Sequence, residues 1–314
     1  MGASITINKT ADVPGTTFDR CLSFTFRQER YACSATFTGT FAVDGPVGEI
    51  RAIEAAIEGH TVLRGFVDRT EEKCAGGERL LTVHARSTAA LLGDNFLKPG
   101  MYLTVSLDTL VTQLIRLEGV TCQSAPTTLN YIYVSDGRSM WDMIALLCIR
   151  LYGVCPYVAQ GNVVRYSTGG AFRTVRPERV LSTAFRCDNT RLVSDIHMQD
   201  TEGTYDVYQA HSDYPVERGI LRHQQAALDM SWLADLQTGL RYRLGYAQRA
   251  ARVYEAAYTG YTGEDLYDRL SIPEAGTAFS GAGGKIAALT VTGGSGGIVT
   301  TASVYDDVYG GLNE

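Results

Sequence analysis

Apolar and polar residues alternate along most of the first hundred positions. In CLSFTF, Leu22, Phe24 and Phe26 share one face. In SATFTGTF, Phe37 and Phe41 do so, with Gly39 between them, and in RAIEAAI the face is Ile53, Ala55 and Ile57. TVLRGFV and LLTVHA continue the pattern on either side of DRTEEKCAGGER, which reads as a polar turn region. Successive strand side chains point to opposite faces, so a period of two bounded by Gly-rich or charged turns predicts half-buried antiparallel strands.

The period then changes. Ser106 is placed to cap a helix over LDTLVTQLIRLE, with Gly119 to end it, and Leu107, Leu110, Val111, Leu114 and Ile115 fall on one face. A short strand, NYIYVS, follows. Ser139, with Asp142 three residues on, forms a capping-box pattern that opens a second helix, MWDMIALLCIRLY, closed by Gly153. Trp141, Ile144, Ala145, Cys148, Leu151 and Tyr152 make its expected buried side. VCPYVA and NVVRYS around Gln160-Gly161 read as a hairpin. Helix, strand, helix and hairpin over about 104–168 predict a compact α+β unit between β-rich flanks. Trp141 and Leu114 are expected to be buried against each other's helices, so that Trp141→Ala costs about 3–5 kcal/mol.

From 171 onward strands return: RLVSDIHMQD, TYDVYQAH, ARVYEAAY, GKIAALTVTG and GIVTTASVYD. TGGSGG is expected at a hairpin tip. One helix interrupts them, with Leu233, Leu236, Leu240, Leu244 and Ala247 on a stripe; Gly239 and Gly245 weaken it, so it is expected to lean on a sheet. The fold class is α+β, mainly β, in three units: 1–100, 101–170 and 171–314.

Composition fits this picture. Thirty-three glycines and 18 tyrosines against 8 prolines suit short strands and tight turns. The net charge of -6 lacks the basic excess of a nucleic-acid-gripping protein. MGASITINKTADVPG has no apolar signal-peptide core, although MGASIT meets the loose myristoylation pattern, and no apolar run is long enough for a membrane span. The seven cysteines are odd in number and form no CxxC pair, which predicts reduced thiols in a protein folding in the cytosol, with Cys148 a small buried hydrophobe.

No arrangement of residues spells a reaction. His60, His84, His197, His211 and His223 are not spaced as metal ligands, and ordinary structural roles are expected for them. Asp12, Asp19, Asp68 and Glu71 are candidate carboxylates, but acid–base chemistry needs a shared cleft, and Asp68 with Glu71 reads as a solvated turn. There is no G-x-S-x-G. In GAGGK, Lys285 is followed by Ile286 where a phosphate loop has Ser or Thr. RGILRHQ and GLRYRLGYAQRAAR mix Arg with Tyr, as single-strand binders do; a solvated or intersubunit face fits the acidic chain better. The expectation is therefore no enzyme, no cofactor, no metal, and no catalytic or binding residues to assign.

The order of elements resembles the baseplate hub proteins of contractile phage tails, of the Mu-type and defective-prophage type and similar to late control D, a fold class shared with type VI secretion spikes. Three stretches carry the resemblance. VLRGFVDRTEE with RLLTVHARSTAALLGDN is similar to the family's G-[YF]-[IV]-D strand and its downstream v-x-[GA]-R-[DS] strand. SLDTLVTQLIRLEGVTC with YVSDGRSMWDMIALLCIRLYGVCPYVAQGNVVRYS is similar to its two-helix insert. YPVERGILRHQ precedes the helix and the strand centred on Tyr254. The resemblance spans about 15–300 as an order of elements. Where the family reads GRD, this chain has Ala85-Arg86-Ser87.

The resemblance implies two tube-protein-like β-barrel domains per chain, at 1–100 and 171–314, flanking the insert. It also implies a homotrimer whose six barrels let a three-fold spike meet a six-fold tail tube. The partners it implies are the tail tube protein, a separate spike protein, other baseplate proteins and the tape-measure protein, with no specific nucleic-acid binding and no membrane insertion. The place it implies is the virion tail baseplate, after synthesis in the host cytoplasm. Alternatives are the hub of a long non-contractile tail, a cell-wall hydrolase or peptidase, and a wall-binding module. A channel in such a ring is expected to be neutral or acidic, with Asp68, Glu71 and Glu72 as exposed candidates for its wall or rim.

Overall fold

The computed structural model describes residues 2–8, 15–167, 169–233, 235–272 and 284–306. Asp12 and most of GAGGK lie outside them. The first segment is seven strands: β1 Ala3–Asn8, β2 Thr16–Phe18, β3 Cys21–Glu29, β4 Thr36–Val43, β5 Ala52–Ile57, β6 His60–Ala75 and β7 Glu78–Ser87. Phe24, Phe26, Phe37, Phe41, Ile53 and Ile57 are buried as the alternation requires. Leu22 is not. The β3–β4 register slips between Cys21 and Ser23, and this bulge leaves Leu22 48% exposed.

DRTEEKCAGGER is mostly strand rather than turn. β6 runs to Ala75, and the chain reverses only at Gly76-Gly77, with φ of 60° and 85°. Two successive left-handed residues favour glycine in a two-residue hairpin turn. Residues 68–74 are exposed without interruption, so no apolar alternation marks them as strand.

The middle segment comprises α1 Leu91–Asp94, β8 Gly100–Val105, α2 Leu107–Thr109, β9 Thr121–Cys122, β10 Leu129–Val134, α3 Met140–Tyr152, β11 Tyr157–Ala159 and β12 Val163–Arg165. Ser106 and Ser139 both close capping boxes, and Gly153 ends α3 at φ 71°. The first long helix departs from expectation. After α2 the chain widens into a π-helical turn over Leu110–Ile115, in which the Arg116 N–H donates to the Val111 carbonyl at 3.0 Å, and it stops at Arg116 rather than Gly119. The wider turn puts Ile115 in line with Leu107, Leu110 and Val111 and swings Leu114 out to 38% exposure. Trp141 is half-buried, so the expected Trp141–Leu114 core pair is not formed. Instead Met143–Ile149 are buried without a break, as in a helix surrounded on all sides.

The last segment holds β13 Phe172–Thr174, β14 Val180–Cys187, β15 Asp195–Met198, β16 Tyr208–His211, α4 Asp213–Val216, β17 His223–Ala226, α5 Leu236–Gln248, β18 Arg252–Thr259, β19 Arg269–Ser271, β20 Gly284–Lys285, β21 Ala288–Gly294 and β22 Gly297–Asp306. β14 is absent from the sequence expectation, because seven of its eight residues are exposed. TGGSGG turns β21 into β22, with Gly294 paired to Gly297. α5 buries Leu236, Leu240 and Leu244 and contacts β15 and β16, whereas Leu233 precedes the helix and is 40% exposed. Gly239 is a point of close packing: a Cβ there would stand 2.6 Å from the Trp232 ring.

The fold is mainly β. Its largest sheet has eleven strands in the order β14-β18-β22-β21-β3-β4-β7-β6-β5-β1-β2, every pairing antiparallel. The two β-rich stretches do not stand apart: β3 and β21 join them into this one sheet, over a core that draws on both, including Ile5, Phe26, Phe41, Tyr258, Tyr267 and Val291. A second core gathers the middle segment, and it also takes Val193, Ile196, Met198, Ala210, Trp232, Leu236, Leu240 and Leu244. The small sheet β16-β15-β17 and α5, which fall inside 171–314, therefore complete the apolar interior of the insert.

Candidate assembly surfaces

The insert is fixed to the large sheet through the tip of the β11–β12 hairpin. Asn162, buried with φ 61°, donates from Nδ2 to the Arg64 carbonyl at 3.0 Å and accepts the Ala89 N–H on Oδ1 at 3.3 Å. Beside it, the Gln160 N–H donates to Asp265 Oδ2 at 3.0 Å, and Gln160 Nε2 donates to Tyr261 Oη at 2.7 Å and the Glu264 carbonyl at 2.8 Å. Gln28, on the inward face of β3, donates to the Val158 carbonyl at 2.9 Å. Burial raises the Asp265 pKa, and the N–H groups of Gln160 and Leu266 oppose that shift. Tyr157 packs against Tyr267 with centroids 4.3 Å apart and ring planes tilted by 36°. These bonds satisfy most of the polar groups named here, although Gln28 Oε1 is buried without a hydrogen-bond partner.

The carboxylates named from sequence do not converge. Arg86 grips Asp68 bidentately, at 2.8 and 3.0 Å, and reaches Asp94 at 3.0 Å. Arg86 therefore keeps an ionic role despite its altered neighbours. Glu71 contacts Arg69 at 3.5 Å. Glu72 accepts the backbone N–H groups of Gly48 and Val47 at 2.7 and 3.1 Å and Arg79 at 3.3 Å, which lowers its pKa. Asp19 is exposed. Among the described residues no group of three or more His, Cys, Asp or Glu side chains is arranged to hold a metal.

Sheet register makes one cluster that linear spacing hides. Asp195 on β15 lies opposite His211 on β16 and His223 on β17. Its carboxylate takes His211 Nδ1 at 2.6 Å and His223 Nδ1 at 3.1 Å, and His211 Nε2 reaches Asp213 at 3.1 Å. The hydrogen bond to Asp195 raises the His211 pKa, with Asp213 adding to it. His84 bonds Thr38 at 3.2 Å, His197 lies 3.3 Å from the Tyr205 carbonyl, and His60 packs edge-on to Tyr261. Of the Arg–Tyr mixture, Arg243 joins Arg138 of the insert on buried Asp229; burial opposes ionisation there, but the two guanidiniums prevail and lower its pKa. Arg249 stacks on Tyr246 at 3.8 Å.

The exposed features lie elsewhere. β14 is one end of the large sheet, and residues 181–191 are all exposed, Leu181 by 57% and Phe185 by 49%. β6 pairs with β5 only as far as Gly65, so beyond it the strand has β7 on one side and no strand on the other among the described residues. A third surface is the outward face of β8, where Met101 is 63% and Leu103 70% exposed, paired across to Tyr133 and Tyr131 of β10.

No family model matches the sequence, and no curated protein matches it. Solved structures do. A tail protein from Neisseria meningitidis MC58 superposes with a TM-score of 0.74 at 13% identity, over 98% of this chain and 97% of its own. The 43 kDa tail protein of prophage MuSo2 from Shewanella oneidensis gives 0.72 at 15% identity, over 97% of this chain and 100% of its own. The E. coli c3393 protein, a type VI secretion component described as similar to the T4 tail proteins gp27 and gp5, gives 0.59 at 11%, over 99% of this chain and 79% of its own. The chain has the fold of phage tail proteins.

Proposed function

We propose that this chain is the structural hub of a phage-type tail baseplate, a homotrimeric ring joining the tail tube to a central spike made by a separate protein. The observation that carries this reading is the seam between β3 and β21. It sets two antiparallel sections, β3-β4-β7-β6 and β21-β22-β18-β14, side by side within one chain. Three copies then present six such sections, which matches a three-fold spike to a six-fold tube. Whole-chain likeness to tail proteins supports it. In this reading the chain is not an enzyme; it works in the virion tail after synthesis in the host cytoplasm, among the tube, spike, tape-measure and other baseplate proteins. Mass photometry and negative-stain imaging of the purified chain, alone and with its spike, test this. A ring of three chain masses is the expected result, and a monomer at micromolar concentration overturns it.

A further inference from the structure

We infer that the outward face of the β8–β10 ribbon is the seat of an acidic amphipathic helix supplied by a partner protein. The hub reading above enters only in saying where that partner is found, among the other tail proteins.

The ribbon has two faces, and the fold covers one. Ile132 and Val134 of β10 and Val105 of β8 are buried in the core of the insert, and Tyr102 packs against it. α3 contacts β10 through the same core. On the other face, Met101 and Leu103 stand opposite Tyr133 and Tyr131. The single helical turn Met230–Trp232 packs along β10 and adds Met230, 43% exposed, to the neighbourhood. Contiguous apolar surface marks a binding site, and methionine adapts to what it binds.

The backbone imposes this exposure. Plain alternation along β8 would turn Val105 outward with Met101 and Leu103. Val105 is instead 2% exposed, because Thr104 before it has φ 53°. The ladder passes from the Leu103–Tyr131 pair to the Val105–Leu129 pair with no pair at Thr104. A left-handed φ is costly for a β-branched residue, whereas glycine takes it freely. Such conformations persist where the surroundings hold them, and they recur at ligand-binding surfaces. Here one reversed residue keeps Val105 in the core and leaves Leu103 turned out to water beside Met101.

Shape and charge set the occupant. A sheet with a helix on its inner face takes a second helix on its outer face. Lys98 lies just before β8, where its carbonyl accepts the Tyr102 hydroxyl at 2.8 Å. Arg150 lies beside Tyr131, with Cζ 5.9 Å from the ring centre and Nη1 3.5 Å from the Tyr131 carbonyl. The strip thus has a cation near each end, and neither meets a carboxylate among the described residues. Asp136, in the turn after β10, instead accepts the Gly137 N–H at 3.0 Å. Positions 98 to 103 span roughly 17 Å of strand at ~3.3 Å per residue, or about three turns of helix. The matching helix has that length, an apolar stripe and a carboxylate toward each end. A second copy of the same face would set like charges against each other.

Overlapping peptides from the tail proteins encoded beside this chain, each long enough for three helical turns, are labelled and titrated with the purified chain by fluorescence anisotropy. The peptides that bind are expected to be acidic and to gain helical circular dichroism on binding. Leu103→Asp, and Lys98→Glu combined with Arg150→Glu, should each weaken binding by about tenfold or more. Leu221→Asp, at another exposed leucine, should leave it unchanged. Met101 and Leu103 are exposed, so Met101→Ser and Leu103→Asp should keep the melting temperature and the ring mass, and lost binding then reports the surface rather than the fold. Binding by no peptide, or binding that survives both of these variants, overturns the assignment. Co-flotation with phosphatidylglycerol vesicles that Leu103→Asp abolishes overturns it in favour of a lipid surface. A ring of three chain masses that binds no peptide leaves the hub reading standing without this seat; a monomer that binds an acidic peptide does the reverse.

Discussion

At Gly239 two local effects oppose each other. Alanine is the better helix former by about 1 kcal/mol, yet a Cβ would sit 2.6 Å from Cγ and Cδ2 of Trp232, and overpacking a filled core costs roughly 1–3 kcal/mol. The clash wins, because the ring is 5% exposed and has little room to retreat. Gly239→Ala should lower unfolding stability by about 1 kcal/mol in a urea titration; an increase would mean that the helix shifts freely. At His211 the sign follows from the direction of its shift. A folded pKa above the ordinary 6.5 contributes stability that is complete below that value and is lost as pH rises through the raised one. The Asp195 pKa is lowered; burial would raise it, and His211, Ser194 and His223 outweigh burial, so its contribution is lost on acidification. His211→Ala should depress the melting temperature more at pH 5.5 than at pH 8.5. Equal depression at both would show that the side chain acts by packing alone.

At the scale of elements, the β11–β12 tip couples the two cores through hydrogen bonds to both sides. Asn162 combines a left-handed backbone with two hydrogen bonds to other segments. Asn162→Gly keeps the backbone and loses the bonds, while Asn162→Ala loses both. The expected order of destabilisation is Ala over Gly, with about 2–3 kcal/mol for Ala from backbone strain and unsatisfied buried groups. Hydrogen exchange at β11 and β12 should quicken ahead of α3; unchanged exchange there would locate the coupling elsewhere. This is also the scale at which sequence succeeds and fails for physical reasons. The caps at Ser106, Ser139 and Gly153 and the inward faces of β4, β5 and α5 were legible, because each depends on residues close in sequence. β14 and distal β6 were not, since strands wet on both faces carry no alternation. The π-turn was hidden because Leu114 fits an α-helical stripe as well as Ile115 does. The Asp195–His211–His223 row was hidden because only β-register brings it together.

At the scale of the whole molecule, the hub role proposed above requires that a long cargo pass without being held. The chain carries 34 Asp and Glu against 28 Lys and Arg, and a net negative ring repels phosphate instead of gaining from counterion release. The assembled ring should show no retention of double-stranded DNA at 50 mM salt. Tight, salt-sensitive binding would mean that a basic surface lines the opening and would bring back a nucleic-acid role.

The seam between β3 and β21 also bears on how the protein is made. Phe26 of β3 pairs with Val291, so a strand near the start of translation waits for one near its end. At ribosomal speeds of about 5–20 residues per second, that wait is roughly a quarter of a minute to a minute. Through it, one side of β3 is bare. Contacts this distant in sequence slow folding and prolong exposure to aggregation. A polypeptide stopped at Ile286 should therefore be insoluble or captured by chaperones, while the full chain stays soluble; a soluble, folded fragment would show that the seam is dispensable. Since, among the described residues, β14, β18 and β22 reach the rest of the large sheet through β21, an unfinished product also lacks one of the two sheet sections. Late closure thus makes completion of the large sheet depend on the last strands to be translated.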